Sequence, residues 1–152
     1  MISSEKYSAD MENPEIINIS KISEKHPVIL FDGDCTFCNF WVQYVLKRDK
    51  NQEFYFSPLQ SDGAKSLISS LDKRFQETDS IIVLFKKKVY DKSDAVFVIL
   101  KALNHPTRYL WYITPKFLRN AVYDLIAKYR HRLHWWQTEC LVPDEEDKKR
   151  FL

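Results

Sequence analysis

The stretch from Val28 to Cys38 reads Val-Ile-Leu-Phe-Asp-Gly-Asp-Cys-Thr-Phe-Cys, an apolar run that breaks at Asp32-Gly33 and opens into a Cys-x-x-Cys pair. An apolar run closed by turn formers predicts a buried strand, and Phe40, Trp41, Tyr44, Val45 and Leu46 then recur at helical spacing. The chain is thereby committed to a strand, a tight turn and a helix, with Cys35 near the helix N-cap and Cys38 one turn inside.

A helix start exposes unpaired backbone N–H groups and the positive end of the macrodipole, and both favour a thiolate. Cys35 is therefore the expected nucleophile. Cys38, three residues on and on the same helix face, is the expected resolving thiol. Asp32 and Asp34 oppose thiolate formation, because a like charge disfavours an anion. Two roles stay open for them: Asp32, if buried, accepts the Cys38 proton, or both residues form the turn by bonding nearby backbone N–H groups.

A chain of 152 residues with 45% hydrophobic and 14% aromatic content suits one compact domain. Its 23 basic and 21 acidic residues are too balanced to argue for nucleic acid, and no uninterrupted apolar run approaches the ~20 residues needed to span a bilayer. Three cysteines, two of them closely paired, do not resemble the framework of a small secreted disulfide protein. Residues 1–26 match neither a secretory signal nor a transit peptide, so a cytoplasmic setting is expected. That segment reads as a flexible extension, with Ile16, Ile17 and Ile19 as a candidate edge strand.

Beyond the dithiol, strands and helices alternate. Phe54 to Phe56 reads as a strand ended by Ser57-Pro58, Ser61 to Leu71 as a short helix, and Ile81 to Phe85 as a central strand. Lys86-Lys87-Lys88 turns the chain into Val89-Tyr90 as a hairpin. Ser93-Asp94 suits the N-cap of a helix that stops near Asn104 and Pro106. Thr114-Pro115 opens the longest helix, with Phe117, Leu118, Ala121, Val122, Leu125, Ile126 and Tyr129 as one apolar stripe. The order is that of a thioredoxin-like α/β three-layer sandwich with a C-terminal helical extension, its domain at residues 27–133 and a polar, solvated tail at 134–152.

The sequence resembles the DCC family of thiol-disulfide oxidoreductases, whose Asp-x-x-Cys-x-x-Cys signature stands here as Asp32-Gly33-Asp34-Cys35-Thr36-Phe37-Cys38. The likeness continues through Leu46-Lys47-Arg48-Asp49, Phe56-Ser57-Pro58-Leu59-Gln60, Asp79-Ser80-Ile81, Ser93-Asp94-Ala95 and Tyr123-Asp124 with Ala127 and Arg130. It implies a thioredoxin-like fold and disulfide exchange through Cys35 and Cys38. Expected partners are a disulfide-containing protein or small-molecule thiol substrate and an external reductant, with no cofactor or metal. Thr36 stands where proline is common in the family, and Thr78-Asp79-Ser80 lacks the proline that packs beside the dithiol in thioredoxins.

The same residue types also suit other chemistries. Cys35, Cys38 and Cys140 with His131 and His134 supply enough ligands for zinc, which makes a non-enzymatic zinc or interaction module the alternative. Phe31-Asp32-Gly33-Asp34 superficially resembles the strand-end aspartates of haloacid-dehalogenase-type phosphotransferases, yet Cys35-Thr36 follows where that pattern wants Gly-Thr. Ser93 and Asp94 either support the dithiol loop or simply cap their helix, and the cap is favoured. The aromatics Tyr109, Trp111, Tyr112, Phe117, Trp135 and Trp136 are assigned mostly to the core, and the mixed charges around them argue against a membrane anchor.

Overall fold

The computed structural model describes residues 5–6, 14–34, 36–76, 81–129, 132 and 144–152. Strand β2 (Val28–Phe31) leads into helix α2 (Thr36–Arg48), and β3 (Tyr55–Pro58) is followed by α3 (Asp62–Ser69) and α4 (Lys73–Gln76). The hairpin β4 (Ile82–Phe85) and β5 (Lys88–Asp91) leads into α5 (Lys92–Ala102), α6 (Arg108–Ile113) and α7 (Lys116–Tyr129). Two further pieces frame this set at the ends: β1 (Glu5–Lys6) with α1 (Pro14–Lys25), and α8 (Glu145–Lys148).

The sheet order is β1-β5-β4-β2-β3, with β2 parallel to β3 and the remaining pairs antiparallel. This is a thioredoxin-like α/β sheet. Strand periodicity distributes its side chains to two faces. Val28, Leu30, Ile82 and Leu84 pack with Ile16, Ile19, Ala64, Leu67 and Phe75 under α1, α3 and α4. Ile29, Phe31 and Val83 pack on the other face with Cys38, Val42, Val45, Ala95 and Ile99 of α2 and α5. The result is three layers, helices on both sides of a mixed sheet.

Local chemistry explains most element ends. Ser61 caps α3, its hydroxyl accepting the Ala64 N–H at 3.2 Å. Helix α5 stops in a Schellman arrangement: Asn104 is left-handed at φ 53°, its N–H bonds the Lys101 carbonyl, and the His105 N–H bonds Leu100. The hairpin turn places Lys86 and Lys87 at φ 53° and 60°, the mirror-image turn that follows the twist of the flanking strands. Asp91, not Ser93-Asp94, occupies the N-cap position of α5, so those two residues lie inside the first turn.

Three regions differ from the sequence reading. Residues 14–25 of the supposed flexible extension form α1, with Ile16 and Ile19 buried rather than paired as an edge strand. Helix α3 lies so close that a Cβ on Gly63 would sit 2.8 Å from the Glu15 Cβ. The end of the supposed solvated tail is a docked clamp. Arg150 is 4% exposed, its Nε donates to the Phe54 carbonyl at 2.9 Å, and its guanidinium pairs with the buried Asp49. Phe56 N–H bonds the Arg150 carbonyl at 2.8 Å and Leu152 N–H bonds the Phe56 carbonyl at 2.7 Å, so the last residues cover the outer edge of β3. The third difference concerns α6 and α7, most of whose apolar side chains are not core: Tyr109, Tyr112 and Phe117 are exposed, as are Leu118, Val122 and Leu125, while Tyr123 is buried. Of the aromatic group, Trp111 is half-buried, and Trp135 and Trp136 lie outside the described residues.

Candidate functional site

The dithiol turn sits where β2 ends. Asp32 is half-buried there, and its Oδ1 accepts the Asp34 N–H at 3.0 Å and the Gln60 side-chain amide at 2.8 Å. Asn39 of α2 donates from Nδ2 to the Gly33 carbonyl at 2.9 Å, while the Leu59 N–H bonds the Phe31 carbonyl at 2.8 Å. The turn is thus fixed from three sides: by its own carboxylate, by the first turn of α2 and by the loop after β3. These bonds match the turn-forming role of Asp32, and Asp34 contributes its backbone N–H to the same turn.

Cys38 occupies the first turn of α2 and is 1% exposed. It belongs to a hydrophobic cluster that includes Ile29, Phe31, Val42, Phe56, Ala95 and Ile99, drawn from β2, α2, β3 and α5. Cys35, the residue before α2, lies outside the described residues, as do His131, His134 and Cys140 and the Thr78-Asp79-Ser80 segment. Among the described residues, no group of three or more His, Cys, Asp and Glu side chains is arranged to hold a metal.

Ser93 and Asp94 are buried, and their bonds run to the C-terminal helices. The Ser93 hydroxyl donates to Asn120 Oδ1, its carbonyl accepts the Trp111 indole N–H at 3.2 Å, and Asp94 Oδ2 meets Lys116 Nζ at 2.8 Å. They tie α5 to α6 and α7. Burial, with the Asp94 charge adding to it, pushes the Tyr90 phenol above its ordinary value. Burial also raises Asp91; Asp94 adds to this, and Arg74 and Lys92 offset part of it.

A separate cleft of about 360 Å³, lined among others by Lys25, Pro27, Phe85, Tyr90 and Lys101, opens beside the start of β2. The dithiol turn is at the other end of that strand, roughly 13 Å away at the usual rise per residue. Sequence reading missed two contributors to the site, Gln60 and Asn39. Gln60 stood within the Phe56-to-Gln60 block of the family resemblance, which was the available signal.

Fold and turn together define a thioredoxin-like protein with a Cys-x-x-Cys sequence at the strand-to-helix junction. The sequence model described as DCC1-like thiol-disulfide oxidoreductase matches residues 29–136, and the chain belongs to that family. It is 37% identical over 134 residues to a Bacillus subtilis (strain 168) protein named uncharacterized protein YuxK, covering 86% of this chain and 98% of that one. It is 30% identical over 120 residues to the chloroplastic DCC family protein At1g52590 of Arabidopsis thaliana, covering 77% of this chain and 70% of that one. No solved structure gives a significant match. Family membership supports a general thiol-disulfide oxidoreductase role, and no helix of the described residues is long and apolar enough to cross a membrane.

Proposed function

We propose that the chain exchanges disulfides through Cys35 and Cys38, with Cys35 as nucleophile and Cys38 as resolving thiol. The observation that carries this reading is the position of Cys38: a thiol in the first turn of α2, 1% exposed, and three residues after Cys35. So deep a sulfur is out of reach of a bulky substrate, whereas a bond to its neighbour three residues earlier closes a small ring. In the first step the Cys35 thiolate attacks a substrate disulfide, forming a mixed disulfide and releasing one substrate thiolate, which takes a proton from solvent. Cys38 then gives up its proton and displaces the second substrate thiol. The substrate gains two electrons, the Cys35–Cys38 pair becomes a disulfide, and an external thiol reductant restores the dithiol.

Asp32 and Asp34 act as positioning residues in this scheme. Asp32 Oδ1 takes both donors, the Asp34 N–H and the Gln60 amide, as a turn anchor does. Ser93 and Asp94 contribute at one remove, by holding α5, whose Ala95 and Ile99 share the hydrophobic cluster of Cys38. The substrate class is disulfides, those of proteins or of small-molecule thiols, and a reducing compartment such as cytoplasm suits a dithiol reset from outside.

A Cys38→Ser variant provides the test, since it removes the resolving step and holds any captured partner on Cys35. The expected result is a reductant-sensitive adduct with a model disulfide, absent from Cys35→Ser. No adduct from folded Cys38→Ser, or stoichiometric zinc retained by the wild-type chain through both cysteines, overturns the proposal.

A further inference from the structure

Helices α6 and α7 both present apolar side chains to solvent. Tyr109, Tyr112, Ile113, Phe117, Val122 and Leu125 are between 49% and 81% exposed, and on α7 they fall on the side opposite the buried Tyr123. Together the exposed apolar side chains of the two helices amount to an area on the order of 1,000 Å², far more than scattered single apolar residues need. A surface of this size calls for an occupant.

Charge decides which one. The sequence from residue 104 to 132 carries six Lys and Arg against one acidic residue, Asp124, leaving 17 against 20 in the rest of the chain. Asp124 is itself paired with Lys92 at 3.1 Å and Lys116 with Asp94 at 2.8 Å, so the basic excess rests on the other five cations. Lys128 and Arg132 are exposed near the C-terminal end of α7, and Arg108 stands at the start of α6. A second copy of the chain docked on the same face would set these cations against their own kind. An anionic lipid surface meets them with opposite charge and accepts the tyrosines and phenylalanine at headgroup level. At 14 residues α7 is about 21 Å long, too short for the ~30 Å hydrocarbon core, so its fitting orientation is flat in the interface.

We infer that the α6–α7 face docks the protein peripherally on an anionic membrane surface, with the apolar stripe at the acyl boundary and Arg108, Lys128 and Arg132 at the headgroups. Co-sedimentation of the full chain with vesicles of phosphatidylcholine alone, and of phosphatidylcholine mixed with phosphatidylglycerol, tests it. Binding is expected on the anionic vesicles, to fall as salt rises and to be weak on neutral ones. Phe117→Asp should weaken it about tenfold or more and Lys128→Gln about fivefold, each with an unchanged thermal melt. Three results overturn the proposal: no binding by the wild-type chain, equal binding to both vesicles at all salt concentrations, or a concentration-dependent dimer that Phe117→Asp abolishes. The last would assign the face to self-association.

Discussion

Two parts of the C-terminal third handle their hydrophobic and charged groups in opposite ways. In the clamp at residues 144–152, a guanidinium is 4% exposed among aromatic rings, whereas on α7 the Phe117 ring is 76% exposed. What separates them is the geometry of the receiving surface. Asp49 and the Phe54 carbonyl meet the Arg150 head, and its carbon atom Cζ lies 5.4 Å from the centre of the Phe56 ring. Phe151 stacks on Phe56 at 5.2 Å and meets Phe31 edge-on at 6.1 Å. The sheet edge thus offers both ionic and aromatic complements. Helix α7 has its inward side committed to α5, through Asn120, Tyr123 and Lys116, and its apolar stripe falls on the remaining side. A charged residue can therefore be core where its partners are fixed in place, and an apolar stripe can be surface where the helix is held by its other face.

The largest effect expected from this contrast is at Arg150. Arg150→Met leaves Asp49 buried without its cation, and urea unfolding should show a loss of about 3–5 kcal/mol. Phe151→Ala removes a half-buried ring from Phe56 and Phe31 while keeping the backbone bonds of the clamp, with an expected cost of about 2 kcal/mol by the same measurement. At the small end, Phe117→Ser on the α7 face should change stability by no more than about 0.5 kcal/mol. If Phe117→Ser proved as costly as Phe151→Ala, the α7 face would be covered in the native protein and the contrast between the two regions would fail.

The central layer was legible because its signals are local. Val28 to Phe31, broken by Asp32-Gly33, reads as a buried strand entering a turn, and Asn104 past an apolar helix reads as its stop. The hairpin was also legible, although two lysines with φ near 60° are an unfavourable choice where Asn-Gly is usual. Other features were not local. Ile16 and Ile19 become core only because Gly63 lets α3 approach α1, a contact across more than forty residues. Ser93-Asp94 matched a cap by residue type, yet β5 runs on to Asp91 and carries them into the first turn. At the dithiol turn, the carboxylate-to-backbone bond of Asp32 was readable from spacing, while the Gln60 amide that shares its oxygen arrives from 28 residues away.

By itself the sequence determined a strand-to-helix turn bearing two thiols three residues apart, which depends on backbone preferences and spacing within a dozen residues. The family was legible from separate blocks between Asp32 and Arg130. Only the tertiary structure decided that Cys38 is buried in a cluster shared with α5, that the charged C-terminus closes the sheet edge, and that the apolar stripe of α7 faces outward. Burial depends on which surfaces meet, and that is set by packing between distant segments rather than by the hydrophobicity of any one of them.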